Sequence, residues 1–141
     1  MLEEESKSAV MKLLGKGAHI HPIRELRDES GQLSMEIDGV IIHEGGHNVV
    51  NSSVYIVECG FNPTLQKVQD LLPRLENFKG LIKHNPHFST TTNFYPVFGA
   101  RQFSPAVNEF CKRNSIWQVR PSGGGYEVVR NLSTLVRRIL K

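Results

Sequence analysis

Two carboxylates, Asp38 and Glu58, each close a hydrophobic strand-like run: Ser34-Met35-Glu36-Ile37-Asp38-Gly39-Val40-Ile41-Ile42 and Val54-Tyr55-Ile56-Val57-Glu58-Cys59-Gly60. A carboxylate inside such a run loses hydration on folding, which is costly unless something compensates it. Two on adjacent strands can share one divalent cation, whose hard oxygen-ligand site converts that cost into binding. The bland alternative lets both reach water at a sheet end, with Asp38 serving only the bend at Gly39. Strand-embedded carboxylates in a pair favour the metal-linked reading.

The elements that must hold them are legible in outline. Residues 2–15 read as a helix: Leu2, Val10, Leu13 and Leu14 recur near the 3.6 period, Glu3, Glu4 and Glu5 suit its positive end, and Gly15 and Gly17 stop it. Residues 18–27 read as a strand in which Pro22 argues for an edge or a bulge. Residues 33–43 form a second strand. Residues 54–59, apolar on both faces, form a third and central one. Asn62-Pro63-Thr64 opens a helix, capped by Thr64 or Asn62, with a Leu65, Val68, Leu71, Leu72, Leu75, Phe78 stripe, and Pro73 predicts a kink or two abutting segments. A strand over 93–99, a helix opened by Ser104-Pro105 and running to about 113, a strand over 115–120 and a short strand over 126–129 follow. Leu132, Leu135, Val136, Ile139 and Leu140 mark a final amphipathic helix over 131–141, after a main domain over 1–130. The order αβββαβαβ predicts an α/β fold with a mixed central sheet flanked by helices.

The chain has 141 residues, 39% hydrophobic and 22% charged, which suits one domain with a real core. No apolar run reaches membrane-spanning length, and the acidic start is unlike a signal peptide, so an intracellular protein, cytoplasmic or nuclear, without membrane contact is expected. Cys59 and Cys111 are too few for a disulfide framework and read as small buried hydrophobes. Residues 1–40 carry five Lys/Arg against eight Asp/Glu, whereas 101–141 carry eight against two. An acidic part beside a basic part fits a metal site next to a phosphate-holding surface; a solvated Arg-rich helix fits the same charges equally well.

With the opening glutamate-bearing helix, the strand Glu36-Ile37-Asp38-Gly39, the hairpin after it and the partner strand Ile56-Val57-Glu58-Cys59-Gly60 leading into a helix, the chain resembles the restriction-endonuclease-like, or PD-(D/E)XK, superfamily over residues 2 to about 120. The resemblance implies that Asp38 and Glu58 ligate Mg²⁺ or Mn²⁺, that the Cys59 carbonyl is a third ligand, and that one of Glu3, Glu4 or Glu5 contributes through water. It also implies nucleic acid, DNA before RNA, as the partner, and phosphodiester hydrolysis by an activated water, for which charge on the phosphate must be neutralised. Gly60 stands where the family carries its lysine. Lys67, on the following helix, is the nearest substitute, with Gln66 and Gln69 beside it; all three also suit a solvated helix face. A more distant resemblance, carried by 94–99, 105–113, 116–119 and the Ser122-Gly123-Gly124-Gly125-Tyr126 turn, is to the nuclease-like domains of crinkler-type effectors and implies a host-cell nucleus.

Arg101, Lys112, Arg113, Arg120 and Arg130 are the candidates for phosphate contacts. Trp117 and Tyr126 read as core rather than stacking platforms. The six histidines lack cysteines at finger spacing, which disfavours structural zinc. Ser122-Gly123-Gly124-Gly125 reads as a plain turn, since it lacks a phosphate-loop lysine. No serine or cysteine sits in a nucleophile elbow. Two readings stay open, divided by Gly60: a nuclease with Asp38, Glu58 and Lys67 as catalytic residues, or a degenerate fold that binds nucleic acid or a protein. The final helix and the family's habit of pairing suggest a homodimer.

Overall fold

The computed structural model describes residues 2–27, 30–44, 52–83, 88 and 91–131. The first helix, α1 (Leu2–Leu14), carries Glu3, Glu4 and Glu5 in its first turn and stops at Gly15, whose φ of 72° only glycine adopts freely. Strands β1 (Ala18–His21), β2 (Glu25–Arg27), β3 (Leu33–Glu36), β4 (Gly39–Glu44) and β5 (Ser52–Cys59) follow, then helices α2 (Leu65–Gln69) and α3 (Leu71–Leu81). Strand β6 (Thr91–Gly99), helix α4 (Pro105–Arg113) and the hairpin β7 (Trp117–Ser122) and β8 (Gly125–Val129) complete the described chain. The final helix expected over 131–141 lies, but for Asn131, outside the described residues.

Six strands form one mixed sheet in the order β1-β4-β5-β6-β7-β8, and β2 with β3 makes a separate two-stranded sheet. β4 and β5 pair antiparallel, β5 with β6 and β6 with β7 parallel. Alternation on the central strands sorts the core. Ile41, Tyr55, Val57 and Val97 face Val10 of α1, while Val40, Ile42, Val54 and Ile56 face Leu75 and Phe78 of α3. Val68, Leu71, Val107 and Cys111 close a third cluster over Phe98 and Ile116. Helices thus cover both faces of a sheet with a central β5, as its two-sided apolar pattern predicts.

Three boundaries differ from expectation. The strand read over 18–27 divides at Pro22, which has no N–H to continue a ladder, and β2 turns away to pair with β3. The strand read over 33–43 divides at Ile37 and Asp38, because β3 pairs with β2 while β4 pairs with β1 and β5. Asp38 therefore occupies a bend between two sheets and not a strand interior. The helix does divide into two abutting segments, α2 and α3, but the break falls at Asp70 and not at Pro73. Pro73 sits in the first turn of α3, where an N–H has no intrahelical acceptor to lose. Ser122–Gly125 is the expected turn, closed by Gly123 at φ 59°. Among the described residues no helix is long and apolar enough to cross a membrane.

Candidate active site

The antiparallel register of β4 on β5 ends at Gly39 opposite Val57, so the next residue outward on each chain, Asp38 and Glu58, comes level at the sheet end. Glu58 continues the row of Val54 and Ile56, and its carboxylate emerges where that apolar row meets a cleft. Asp38 is fixed from behind: its Oδ2 accepts the Cys59 backbone N–H at 3.0 Å. The Ile37 N–H donates to the Arg24 carbonyl at 2.8 Å, which ties the bend to β2. Opposite, α2 and α3 supply the second wall. The cleft holds about 650 Å³ and is lined by Arg24, Glu36, Asp38, Glu58, Lys67, Asp70, Arg74 and Phe98 among others. That volume accommodates a nucleotide-sized group.

Lys67 enters this cleft. Thr64, one of the two caps the sequence offers, accepts the Lys67 N–H at 3.2 Å, and this sets where the side chain departs. Its Nζ donates to the Cys59 carbonyl at 3.1 Å. The same Nζ lies 3.0 Å from where a Cβ on Gly60 would be. The ammonium thus occupies the region a side chain at position 60 would enter, in the cleft that both carboxylates also line. Gln66 donates to Asp70 at 2.7 Å, an i,i+4 pair along the same helical stretch.

Electrostatics in the cleft are dominated by Glu58. Burial, then the neighbouring charge of Asp38 and a hydrogen bond with it, push its carboxyl up to about 7, against the opposing pull of Arg74. Arg74 Nη2 donates to Glu58 Oε1 at 2.9 Å and also to the Glu36 carbonyl. On the other wall Arg24 donates to Glu3, whose hydrogen bond is the main cause holding that guanidinium above its ordinary range. Glu3 also pairs at 3.7 Å with the buried Lys7, whose stem packs over Gly39. Of the three opening glutamates, Glu3 is the one linked to the cleft, through Arg24; Glu4 pairs with Lys7 at 3.1 Å. Glu5 accepts from Tyr126, which draws its carboxyl below the ordinary range.

The donor set suits a hard divalent cation. Two juxtaposed carboxylates that disfavour joint ionisation gain by sharing a cation in place of a proton. Among the described residues no group of three His, Cys, Asp or Glu side chains forms a closed cage. Mg²⁺ sites commonly use one or two carboxylates and complete their octahedron with water and phosphate oxygens. The Cys59 carbonyl, expected as a third ligand, already accepts from Lys67 and retains a second lone pair. The Cys59 thiol lies on the opposite, α1 face; burial pushes it up to about 11, so it stays protonated.

The five basic residues expected to hold phosphate, Arg130 included, line no part of this cleft. Arg101 lies 3.9 Å from Glu5 with its guanidinium over Tyr126, Arg113 pairs with Glu109 at 3.0 Å, and Arg120 pairs with Glu127 at 2.8 Å across the β7–β8 hairpin. Lys112 is exposed on α4. Trp117 is buried against Tyr55 and Tyr95, as expected of core. His21 accepts from the Ile23 N–H and packs at a tilt against Phe88, while His47, His84 and His87 lie outside the described residues. Besides Lys67, the basic residues that line the cleft are Arg24 and Arg74, and neither was singled out by sequence. Arg74 carried one signal: it interrupts the Leu71, Leu75, Phe78 stripe seven residues after Lys67, hence on nearly the same helix face. Arg24 carried none. No protein-family model matches this chain, and neither the curated proteins nor the solved structures compared with it include a significant match.

Proposed function

We propose that this domain is a metal-dependent nuclease with a restriction-endonuclease-like core, acting on nucleic acid through Asp38, Glu58 and Lys67. The observation that carries the reading is the Lys67 ammonium beside Gly60, within the cleft that holds both carboxylates. A lysine in that place supports chemistry, since one turned to solvent would support only a scaffold. Asp38 and Glu58 are the residues to hold Mg²⁺ or Mn²⁺, which when bound neutralises phosphate charge and lowers the pKa of water. Lys67 has N–H donors beyond the one given to Cys59, and these orient the attacking water or a non-bridging phosphate oxygen. Water oxygen bonds to phosphorus, the bond to the leaving sugar oxygen breaks, and that oxygen takes up a proton. The element order, with a glutamate-bearing first helix, a hairpin and a parallel β5–β6–β7 run, supports the core assignment.

The test is cleavage of supercoiled plasmid and of labelled single-stranded DNA and RNA with Mg²⁺ or Mn²⁺. Metal-dependent nicking that disappears in Asp38→Ala and falls by about 10²-fold in Lys67→Met is expected. Absence of cleavage with either metal favours the second reading, a degenerate fold that binds nucleic acid or protein. One observation favours that alternative: Arg74 already pairs with Glu58.

A further inference from the structure

Arg74 is held by two acceptors at once, the Glu58 carboxylate and the Glu36 carbonyl. Its side chain keeps 39% exposure where that of Glu58 keeps 14%, so the guanidinium covers the carboxylate on the side that opens to the cleft. A guanidinium is charged at every physiological pH. It therefore supplies a permanent positive charge where a cation would engage Glu58. The two cannot share Oε1 fully, because like charges a few ångströms apart in a half-buried site repel. Guanidinium also binds phosphate as well as it binds carboxylate, in the same forked geometry.

Resting on the nuclease reading, we propose that Arg74 is a resident counter-charge that exchanges partners. In the resting protein it neutralises Glu58. When a divalent cation takes Glu58, Arg74 passes to a phosphodiester oxygen of the substrate while the Glu36 carbonyl keeps it in the cleft. Metal alone then leaves a displaced arginine without an anion, and substrate alone competes with Glu58 for it. Together they satisfy every charge, so metal and nucleic acid bind cooperatively, each tightening the other by the same factor. Arg74 is a substrate-binding residue in this scheme, and its contact with Glu58 marks a site waiting for both ligands.

The test measures Mn²⁺ binding by the electron paramagnetic resonance of the free ion. Wild type, Arg74→Met and Arg74→Lys are compared, with and without a slowly cleaved phosphorothioate oligonucleotide. Arg74→Met is expected to bind Mn²⁺ about tenfold more tightly than wild type in the absence of oligonucleotide, a difference of about 1.4 kcal/mol. The oligonucleotide is expected to tighten Mn²⁺ several-fold more in wild type than in Arg74→Met, and Arg74→Lys is expected to follow wild type. Arg74→Gln, which keeps a donor for the Glu36 carbonyl, replaces Arg74→Met if the latter melts early. Mn²⁺ binding that is unchanged or weaker without the arginine, or oligonucleotide enhancement equal in both proteins, overturns the exchange and leaves the nuclease reading standing. Mn²⁺ binding no better in wild type and Arg74→Met than in Asp38→Asn overturns both.

Discussion

The ammonium of Lys67 stands 3.0 Å from the point where a side chain at Gly60 would begin. Position 60 is free of left-handed strain, and its other close neighbour is the Phe98 ring edge at 3.5 Å, an ordinary contact. What obstructs a side chain there is the flexible end of Lys67 itself. Lys67→Met is expected to lower the plasmid-nicking rate by about 10²-fold, the scale of losing one aligned donor. Gly60→Lys combined with Lys67→Met is expected to recover at least a tenth of the loss, because the new ammonium inherits the vacated space. Initial nicking rates of the three proteins decide it. A double variant as slow as Lys67→Met would show that the two positions are not interchangeable.

Glu58 makes stability depend on pH in a stated direction. Its folded-state pKa of about 7 exceeds the ordinary 4.5, so the folded protein binds the proton more tightly than the unfolded chain. Stability from this group is complete below about 4.5 and is lost as pH rises toward and through 7. Glu58→Gln is expected to flatten that part of the profile and, at pH 8 in EDTA, to be about 1–3 kcal/mol more stable than wild type. Urea unfolding from pH 4.5 to 8.5 measures it, and parallel profiles for the two proteins would contradict the assignment. Adding Mn²⁺ should restore stability to wild type at high pH and not to the variant.

Asp38 carries two separable duties. Its Oδ2 satisfies the Cys59 N–H, and its charge helps raise Glu58. Asp38→Asn keeps an acceptor and removes the charge, so it is expected to fold as wild type does, to lower the Glu58 pKa, and to abolish metal-dependent nicking. Asp38→Ala strands the Cys59 N–H and is expected to cost about 1–2 kcal/mol more than Asp38→Asn. Carboxyl titration by NMR and urea midpoints separate the two effects. Equal stability of the variants would mean that the N–H finds another partner.

Much of this architecture was written in local patterns. Gly15 and the Thr64 and Ser104 caps bound their helices where spacing suggests, and the two-sided apolar run at β5 announces a central strand. Asp38 and Glu58 were legible because a carboxylate is conspicuous at the end of an apolar row. The cleft walls were not. That β3 leaves the main sheet to pair with β2 is a choice between partners far apart in sequence, which alternation cannot express. Arg24 and Arg74 enter the cleft only as a result of that choice. Conversely, basic residues near the C-terminus look like a phosphate surface by count, yet Arg113 and Arg120 are taken up by the glutamates beside them.

Gln118 tests how the far end of the domain is held. It is fully buried, and its Nε2 donates to Asn108 Oδ1 at 3.0 Å. Its Oε1 accepts from Asn131 at 2.9 Å, and Asn131 also donates to the Ile116 carbonyl at 2.7 Å. Three amides thereby join α4, β7 and the chain leaving β8, and each buried polar atom in the chain of bonds has an answer. Gln118→Leu fits the volume and leaves Asn108 and Asn131 each short of a partner, so a loss of about 2–4 kcal/mol is expected. Gln118→Glu is the sharper probe. Its carboxyl can still accept from Asn131, but only the protonated form donates to Asn108, and burial disfavours the charged form. Its folded-state pKa is therefore raised, and the variant should approach wild-type stability at pH 4 and fall progressively below it as pH rises. Urea midpoints at pH 4, 6 and 8 read this directly. A constant difference across that range would mean that the carboxylate is solvated, and that the amide chain is not the tie between α4 and Asn131.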